Sequence, residues 1–131
     1  MSQQENIERI AKSNFEAWNS ALQTKDPEAV VALYSENLIF LPTLSSKFIK
    51  SKDEAIEYFE HFLKKNPVAE IIDEAVQLFG HEGYAHSGKY NFTIGQDDTK
   101  QIVEARFTFI WKQDGEGRWE IVNHHSSLSP Q

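Results

Sequence analysis

The sequence predicts an α+β fold, in which helices from the first half pack against an antiparallel sheet from the second half. Up to about residue 65, apolar residues recur every three or four positions, as on one face of a helix. From about residue 69 onward they alternate with polar residues, as on one face of a strand. No linker or internal repeat divides the chain, so we expect one domain spanning residues 1–131.

Two helices and a strand are predicted in the first third of the chain. The first helix carries an apolar stripe formed by Ile7, Ile10, Ala11, Phe15, Trp18 and Leu22. Asp26 is a residue type that caps helices and Pro27 suits a first helical position, so a short second helix follows. The run from Asn37 to Pro42 predicts a short strand, and its terminal proline favours a sheet edge.

The segment from Ser51 to Lys65 predicts the third helix. Ser51 followed by Glu54 is typical of a capping box, in which two side chains satisfy the first backbone N–H groups. Acidic residues in the first turn and lysines in the last complement the helix dipole. The expected buried face consists of Ile56, Phe59, Phe62 and Leu63.

Four strands are predicted in the second half, near residues 69–79, 84–94, 101–112 and 118–126. Short turns rich in glycine and aspartate separate them, so the strands form an antiparallel meander that curls over the helices. The last two strands are apolar on one face and mixed on the other, with Ile, Thr and Val beside a few charges. This mixed face is either covered by a second copy of the chain or is ordinary surface.

The composition disfavours several classes of function. A net charge of -7 disfavours binding to nucleic acids and to anionic membranes. The lack of cysteine excludes thiolate nucleophiles and zinc–thiolate sites. No apolar run is long enough to span a bilayer, and the first residues lack the apolar core of a secretory signal. We therefore expect a cytoplasmic protein without nucleic-acid or membrane partners.

Six segments occur in an order that resembles a known superfamily: AWNSAL, ALYSENLIFLPTLS, IEYFEHFL, SGKYNFT, ARFTFIW and WEIVNHHSSLSP. The chain resembles the nuclear transport factor 2-like superfamily, and within it the SgcJ/EcaC-type (SnoaL-like) group. That group is related to the association, or hub, domain of calcium/calmodulin-dependent protein kinase II. The resemblance implies a cone-like curved antiparallel sheet wrapped on three N-terminal helices. It also implies a homo-oligomer, beginning with a dimer through the outer sheet face.

The resemblance also implies a small pocket between helix and sheet. Aromatic residues are expected to converge on it, together with a histidine near the C-terminus: Trp18, Tyr34, Phe59, Tyr90, Phe107, Phe109, Trp111 and His125. Kinase hub domains line this pocket with arginines, but the matching positions here are Phe109 and Ser126. Arg106 is a candidate contact for a carboxylate ligand. Alternatively, it forms a cross-strand ion pair.

Two adjacent histidines, His124 and His125, lie on the last predicted strand. Successive side chains on a strand point to opposite faces, so the two imidazoles cannot bind one metal ion together, and we expect no metal site. Because His125 has the same parity as the apolar Ile121, we expect it to point inward. It then either holds the strand by hydrogen bonds or binds and protonates a ligand. Ser126 faces away from its neighbour, which disfavours serine hydrolysis.

Asp73 is a candidate general base because it lies among apolar residues, and Tyr90 is a candidate hydrogen-bond donor beside it. The alternative for Asp73 is a solvated strand edge or a bulge. We favour a homo-oligomerising, hub-like module with a small pocket for an apolar or carboxylate ligand, without catalysis and without a cofactor. The alternative is a small-molecule isomerase or cyclase that uses His125 or Asp73 as its base.

Overall fold

A curved five-stranded sheet packs on three helices in the computed structural model, which describes residues 2–130. The elements are α1 (Gln3–Gln23), α2 (Pro27–Val31), β1 (Tyr34–Leu41), α3 (Lys52–Phe62), β2 (Val68–Phe79), β3 (Gly83–Ile94), β4 (Gln101–Gln113) and β5 (Trp119–Leu128). Short 3-10 turns follow α3 at Leu63–Lys65 and β3 at Asp97–Thr99. The predicted α+β class is confirmed. None of the helices within residues 2–130 is long and apolar enough to cross a bilayer.

The strands lie in the order β1-β5-β4-β3-β2. Strands β2 to β5 form the predicted antiparallel meander, in which each strand pairs with its neighbour along the chain. Strand β1 differs from the expected antiparallel arrangement because it pairs with β5 in parallel. A parallel pair needs a long connection between its strands, and here α3 and the meander provide it. As predicted, β1 lies at an edge of the sheet and Pro42 follows its last residue.

Side-chain caps fix where the helices begin. Ser51 Oγ accepts a hydrogen bond from the backbone N–H of Glu54 at 3.2 Å. Asp26 caps α2 in the same way, and Pro27 is the first helical residue. The cap at Asp26 agrees with the prediction, whereas only half of the predicted capping box forms at Ser51, because Glu54 accepts from the N–H of Lys50 and not from that of Ser51. Both capping side chains satisfy N–H groups that have no partner within the helix.

Helix α1 fills the concave side of the sheet. Its buried stripe consists of Ile7, Ala11, Phe15, Trp18 and Leu22. The indole of Trp18 lies edge-on to the rings of Phe109 and His124, with centroids 5.2 Å and 5.5 Å away. Aromatic pairs at these distances add to the stability gained from burial alone. The core is therefore dense in rings that meet at the middle of α1.

Polar side chains of α1 hold the free edge of β2. Asn19 donates from Nδ2 to the carbonyl oxygen of Ala69 at 2.9 Å and accepts from the N–H of Ala69 at 3.0 Å. Gln4 Nε2 donates to the carbonyl oxygen of Val76 at 3.1 Å. These contacts satisfy backbone groups that would otherwise be open to pairing with another strand.

Replacing Asn19 by alanine is expected to lower the free energy of unfolding by about 1–3 kcal/mol, because both backbone groups of Ala69 lose their partner. Urea unfolding followed by circular dichroism measures the change. The matched control is Asn6→Ala on the same helix, since the Asn6 side chain is exposed and, within residues 2–130, is hydrogen-bonded only to Arg9. A loss equal to that of the control would show that the Asn19 contacts do not stabilise the edge.

Candidate functional site

A chain of hydrogen bonds crosses the interior, and its centre is the imidazole of His124. Trp18 Nε1 donates to Tyr34 Oη at 3.2 Å, and Tyr34 Oη lies 2.9 Å from His124 Nδ1. On the other side of the ring, His124 Nε2 lies 3.3 Å from Tyr90 Oη. All four side chains are buried, so each polar atom depends on the next for a hydrogen bond.

The chain continues from Tyr90 to the loop between β1 and α3. Tyr90 Oη donates to Ser126 Oγ at 2.6 Å, and Ser126 Oγ is hydrogen-bonded to Thr43 Oγ1. Thr43 and Ser126 are each 5% exposed. Tyr58 Oη donates to the backbone carbonyl oxygen of Thr43 at 3.1 Å and so ties the end of the chain to α3.

The donors along the chain determine the tautomer of His124. Because Tyr90 donates to Ser126, its oxygen is free to accept from His124 Nε2–H. Because Tyr34 accepts from Trp18, its own hydroxyl hydrogen is free for His124 Nδ1. The imidazole is therefore neutral, with its hydrogen on Nε2. A second hydrogen on Nδ1 would leave the Tyr34 hydroxyl without an acceptor.

Burial keeps the groups of this chain uncharged. Burial, and to a lesser extent the nearby His125, holds the pKa of His124 well below its usual value. Burial raises the pKa of Tyr90 and of Tyr34 well above the usual value. The rings of Phe40 and Phe109 stack on the two sides of His124, with centroids 4.6 Å and 3.9 Å away. The interior therefore holds hydrogen-bonding groups that neither gain nor lose a proton near neutral pH.

Little free space remains inside the cone. An interior cavity of about 10 Å³ is lined by Trp18, Phe40, Thr43, Tyr58, Phe59, Phe62, Tyr90, Phe92, His124 and Ser126. A space of this size admits about one water-sized group. Beyond Thr43, Tyr58 and Phe62 lies a larger cleft of about 160 Å³, the vestibule. Its lining is Thr43, Leu44, Ser45, Lys47, Tyr58, His61, Phe62 and Lys65.

A bulge in β5 reverses the predicted orientation of the two histidines. Trp111 pairs with Ile121 but Ile110 pairs with Asn123, so Val122 has no partner on β4. Such an extra residue shifts the alternation by one position. His124 is 1% exposed, whereas His125 is exposed to solvent, so the expectation that His125 points inward is wrong.

The aromatic residues expected to converge on the pocket are all buried: Trp18, Tyr34, Phe59, Tyr90, Phe107, Phe109 and Trp111. Of these residues, Trp18, Phe59 and Tyr90 line the small cavity. The remaining four pack against other core side chains. Most of the predicted pocket is therefore solid core.

Asp73 and Arg106 lie on the outer face of the sheet, away from the cavity. Asp73 is exposed and follows a bulge at Ile72, which agrees with the alternative reading of this residue as a solvated strand edge. Gly88 pairs with the next residue, Glu74, and a Cβ atom on Gly88 would collide with the carbonyl oxygen of Asp73. Arg106 pairs in register with Lys89, is exposed and does not line the cavity, so its contact with a carboxylate ligand stays a prediction.

The architecture and this interior place the chain within a family. The family model of the calcium/calmodulin dependent protein kinase II association domain matches residues 6–130. The chain belongs to this association-domain family. A solved structure from Xanthomonas campestris, described as an association domain of the same kind, is 36% identical with a TM-score of 0.90. The alignment covers 94% of this chain and 88% of that one.

More distant structures share the fold of this association domain. An NTF2-like protein from Pseudomonas putida KT2440 is 18% identical with a TM-score of 0.80, over 97% of this chain and 89% of that one. A ketosteroid isomerase-like protein from Erwinia carotovora atroseptica is 17% identical with a TM-score of 0.72, over 91% and 94% of the two chains. They confirm the predicted nuclear transport factor 2-like fold. No functionally curated protein matches the sequence.

Thr43, Tyr58 and His124 were not among the predicted site residues of this association domain. Thr43 follows Pro42 in an irregular loop, where no periodicity indicates which side chains point inward. Tyr58 was not part of the predicted buried face of the third helix, although it directly precedes Phe59 there, so its aromatic character was the available signal. His124 was excluded by strict alternation, which the bulge breaks.

The association domain buries a second histidine on the same side of the sheet. His86 Nε2 lies 2.8 Å from Glu74 Oε1, and burial lowers the pKa of His86 although Glu74 opposes the shift. Glu74 borders a groove of about 330 Å³ between α1 and β2. Within residues 2–130, no three His, Asp or Glu side chains lie close enough together to hold a metal ion.

The free energy of unfolding of this association domain should fall as the pH drops from about 7 to 5. A histidine in the unfolded chain takes up a proton near pH 6.5, whereas His124 and His86 in the folded chain resist protonation. The contribution of each such histidine to the free energy of unfolding is therefore present in full above that pH. Below it, this contribution is lost by up to about 1.4 kcal/mol per pH unit.

Urea unfolding at several pH values tests this dependence. His124→Gln should flatten the slope of unfolding free energy against pH by about one proton, whatever its effect on absolute stability. The control is His81→Gln in the exposed turn between β2 and β3, which should keep the wild-type slope. Equal slopes for the two variants would contradict the assignment of a neutral His124.

Proposed function

We propose that this association domain is a homo-oligomerising module whose dimer forms through the outer face of the sheet. The supporting observation is a band of side chains that contains no Asp, Glu, Lys or Arg and spans all five strands. Read across the strand pairs, one row is Ile39, Asn123, Ile110, Ala85 and Gln77, and the next is Leu41, His125, Thr108, Ser87 and Ala75. We call these two rows the neutral band.

The neutral band lies between charged positions on the same face. On one side, Arg106 pairs with Lys89, which pairs with Asp73. On the other side, Glu120 pairs with Lys112. The chain as a whole is 25% charged, so a band free of charges across five strands is unusual in it. A centre depleted of charge with a polar rim is typical of protein interfaces.

A second copy of the same chain is the partner that fits this face best. A two-fold axis through the neutral band would bring each row against its counterpart, which makes the surface complementary to itself. Because the rows hold no ionisable carboxylate or ammonium groups, burying them requires no desolvation of a charge. The kinship with an association domain supports the same assignment.

An isomerase or cyclase is less well supported. Such an enzyme needs space for its substrate beside a base, and the interior cavity has a volume of about 10 Å³. His125 and Asp73, the two candidate bases, are exposed on the outer face. Tyr90 lies inside, but it already donates its hydrogen to Ser126. We therefore propose self-association, not catalysis, as the activity of this domain.

Light scattering coupled to size-exclusion chromatography tests this proposal, since the monomer mass is 15.1 kDa. The wild type should elute with about twice this mass or a higher multiple. Ile110→Arg places a charge in the neutral band and should shift the protein to the monomer, because an unpaired buried charge strongly disfavours the interface.

The matched control is Ile102→Arg on the same strand. Ile102 is 65% exposed and lies outside the neutral band, two rows beyond Arg106, so the control should keep the wild-type mass. Circular dichroism shows whether both variants remain folded. A wild type that is monomeric at micromolar concentration, or equal masses for the two variants, would overturn the proposal.

A further inference from the structure

We propose that His125 makes the dimer sensitive to pH: the two copies stay joined while its imidazole is neutral and separate when it gains a proton. This regulation rests on the proposed self-association through the neutral band and acts on that same surface. Three features of His125 support it, namely its place in the band, its exposure in the single chain and the charges around it.

His125 is the one side chain of the neutral band that changes charge near neutral pH. The other nine positions hold aliphatic side chains, hydroxyls and amides: Ile39, Leu41, Ala75, Gln77, Ala85, Ser87, Thr108, Ile110 and Asn123. Histidine is the side chain that ordinarily titrates between about pH 5 and 8. A proton on this ring therefore places a charge inside a surface that otherwise has none.

Association changes the surroundings of this imidazole. In the single chain His125 is exposed, so water solvates a proton on its ring. In the proposed dimer the second copy removes this water, and a buried charge is unfavourable unless a group of opposite charge lies beside it. The proton therefore binds the separated chains more strongly than the dimer. Because of this difference, acid shifts the equilibrium toward the separated chains.

The charged groups around His125 are cations. On β4, Arg106 is its diagonal neighbour across the strand pair. In the loop after β1, Lys47 lines the same cleft as His125. On β1 its partner is the uncharged Leu41, and the preceding residue on β5 is the buried, neutral His124. Within residues 2–130, no carboxylate lies within 4.0 Å of the His125 imidazole.

A second copy brings no carboxylate to this imidazole through the neutral band, because it presents the same side chains. Read across the strand pairs, the rows beside the band hold one carboxylate each, Asp73 on one side and Glu120 on the other. Each of them pairs in register with a lysine, Lys89 for Asp73 and Lys112 for Glu120. A protonated His125 inside the band therefore has neutral groups or cations as its neighbours.

The size of the effect depends on the number of imidazoles, which is two in a dimer. A histidine that takes up a proton only in the separated chain weakens association by about ten-fold between pH 7.5 and pH 5.5. Two such histidines should raise the dissociation constant of the dimer by about 100-fold over this range.

Sedimentation velocity over a range of protein concentrations measures the dissociation constant at pH 7.5 and at pH 5.5. The wild-type constant should rise about 100-fold on acidification. In His125→Gln the ratio of the two constants should fall to about one, whatever the constant at pH 7.5, because the amide takes up no proton. His125→Arg carries a permanent charge and should raise the constant already at pH 7.5.

The matched control is His81→Gln, which lies in the exposed turn between β2 and β3 and should keep the wild-type ratio. Circular dichroism at both pH values shows whether each variant is folded. The buried His124 and His86 also respond to acid, and both are present in His125→Gln. A ratio in His125→Gln as large as that of the wild type would therefore assign the pH response to the buried histidines and overturn the proposal.

The remaining outcomes separate this proposal from self-association. A wild-type dimer with equal constants at both pH values would overturn the pH sensitivity and leave the dimer standing. A dimer that tightens at pH 5.5 would mean that the protonated ring meets a carboxylate of the second copy, and it would overturn the proposal as well. A wild type that is monomeric at pH 7.5 would overturn the proposed self-association, and the pH sensitivity with it.

Discussion

The bulge at Val122 decides which side chains of the last strand enter the interior, and both surfaces of the sheet depend on it. One extra residue without a partner on β4 shifts the alternation, so that His124 and Ser126 point inward and His125 points outward. Without it, the inward positions would be His125 and Ser127, and Tyr34 and Tyr90 would lose the imidazole between them. The extra residue thus determines the buried hydrogen-bond chain.

Burying a hydrogen-bond chain in an aromatic core is costly unless every member has a partner. Here each ring with a polar edge presents it to the next: indole to phenol, phenol to imidazole, imidazole to phenol. Their apolar faces stack on Phe40, Phe109 and Phe107. The same residues therefore supply the hydrophobic core and a directed chain of donors. That direction leads to Thr43, which lines both the cavity and the larger cleft next to it, as Tyr58 and Phe62 do.

The sequence was sufficient to predict the helices and strands. Helix caps such as Ser51, and the change near residue 69 from a helical to a strand-like spacing of apolar residues, are local signals. It also indicated which aromatics are buried, since ring-rich faces rarely remain in water. The prediction from sequence failed where one extra residue changes the register between β4 and β5. Alternation counted from Ile121 gives the wrong histidine, because nothing in the residue types around Val122 distinguishes a bulge from a regular strand. The inward direction of Thr43 depends on a loop and could not be derived from periodicity.

The interior and the outer face are two sides of the same strands, and this explains how they can differ in chemistry. In β5 and β4, the buried row containing His124 and Phe109 is adjacent to the outer row containing His125 and Thr108. Each row occupies alternate positions, so one surface can change while the other keeps its residues. Charge is the exception, because it acts through space: His125 lowers the pKa of the buried His124. A neutral band on the outer face therefore also avoids placing a carboxylate behind His124, which would raise the pKa of an imidazole that must stay uncharged to accept from Tyr34.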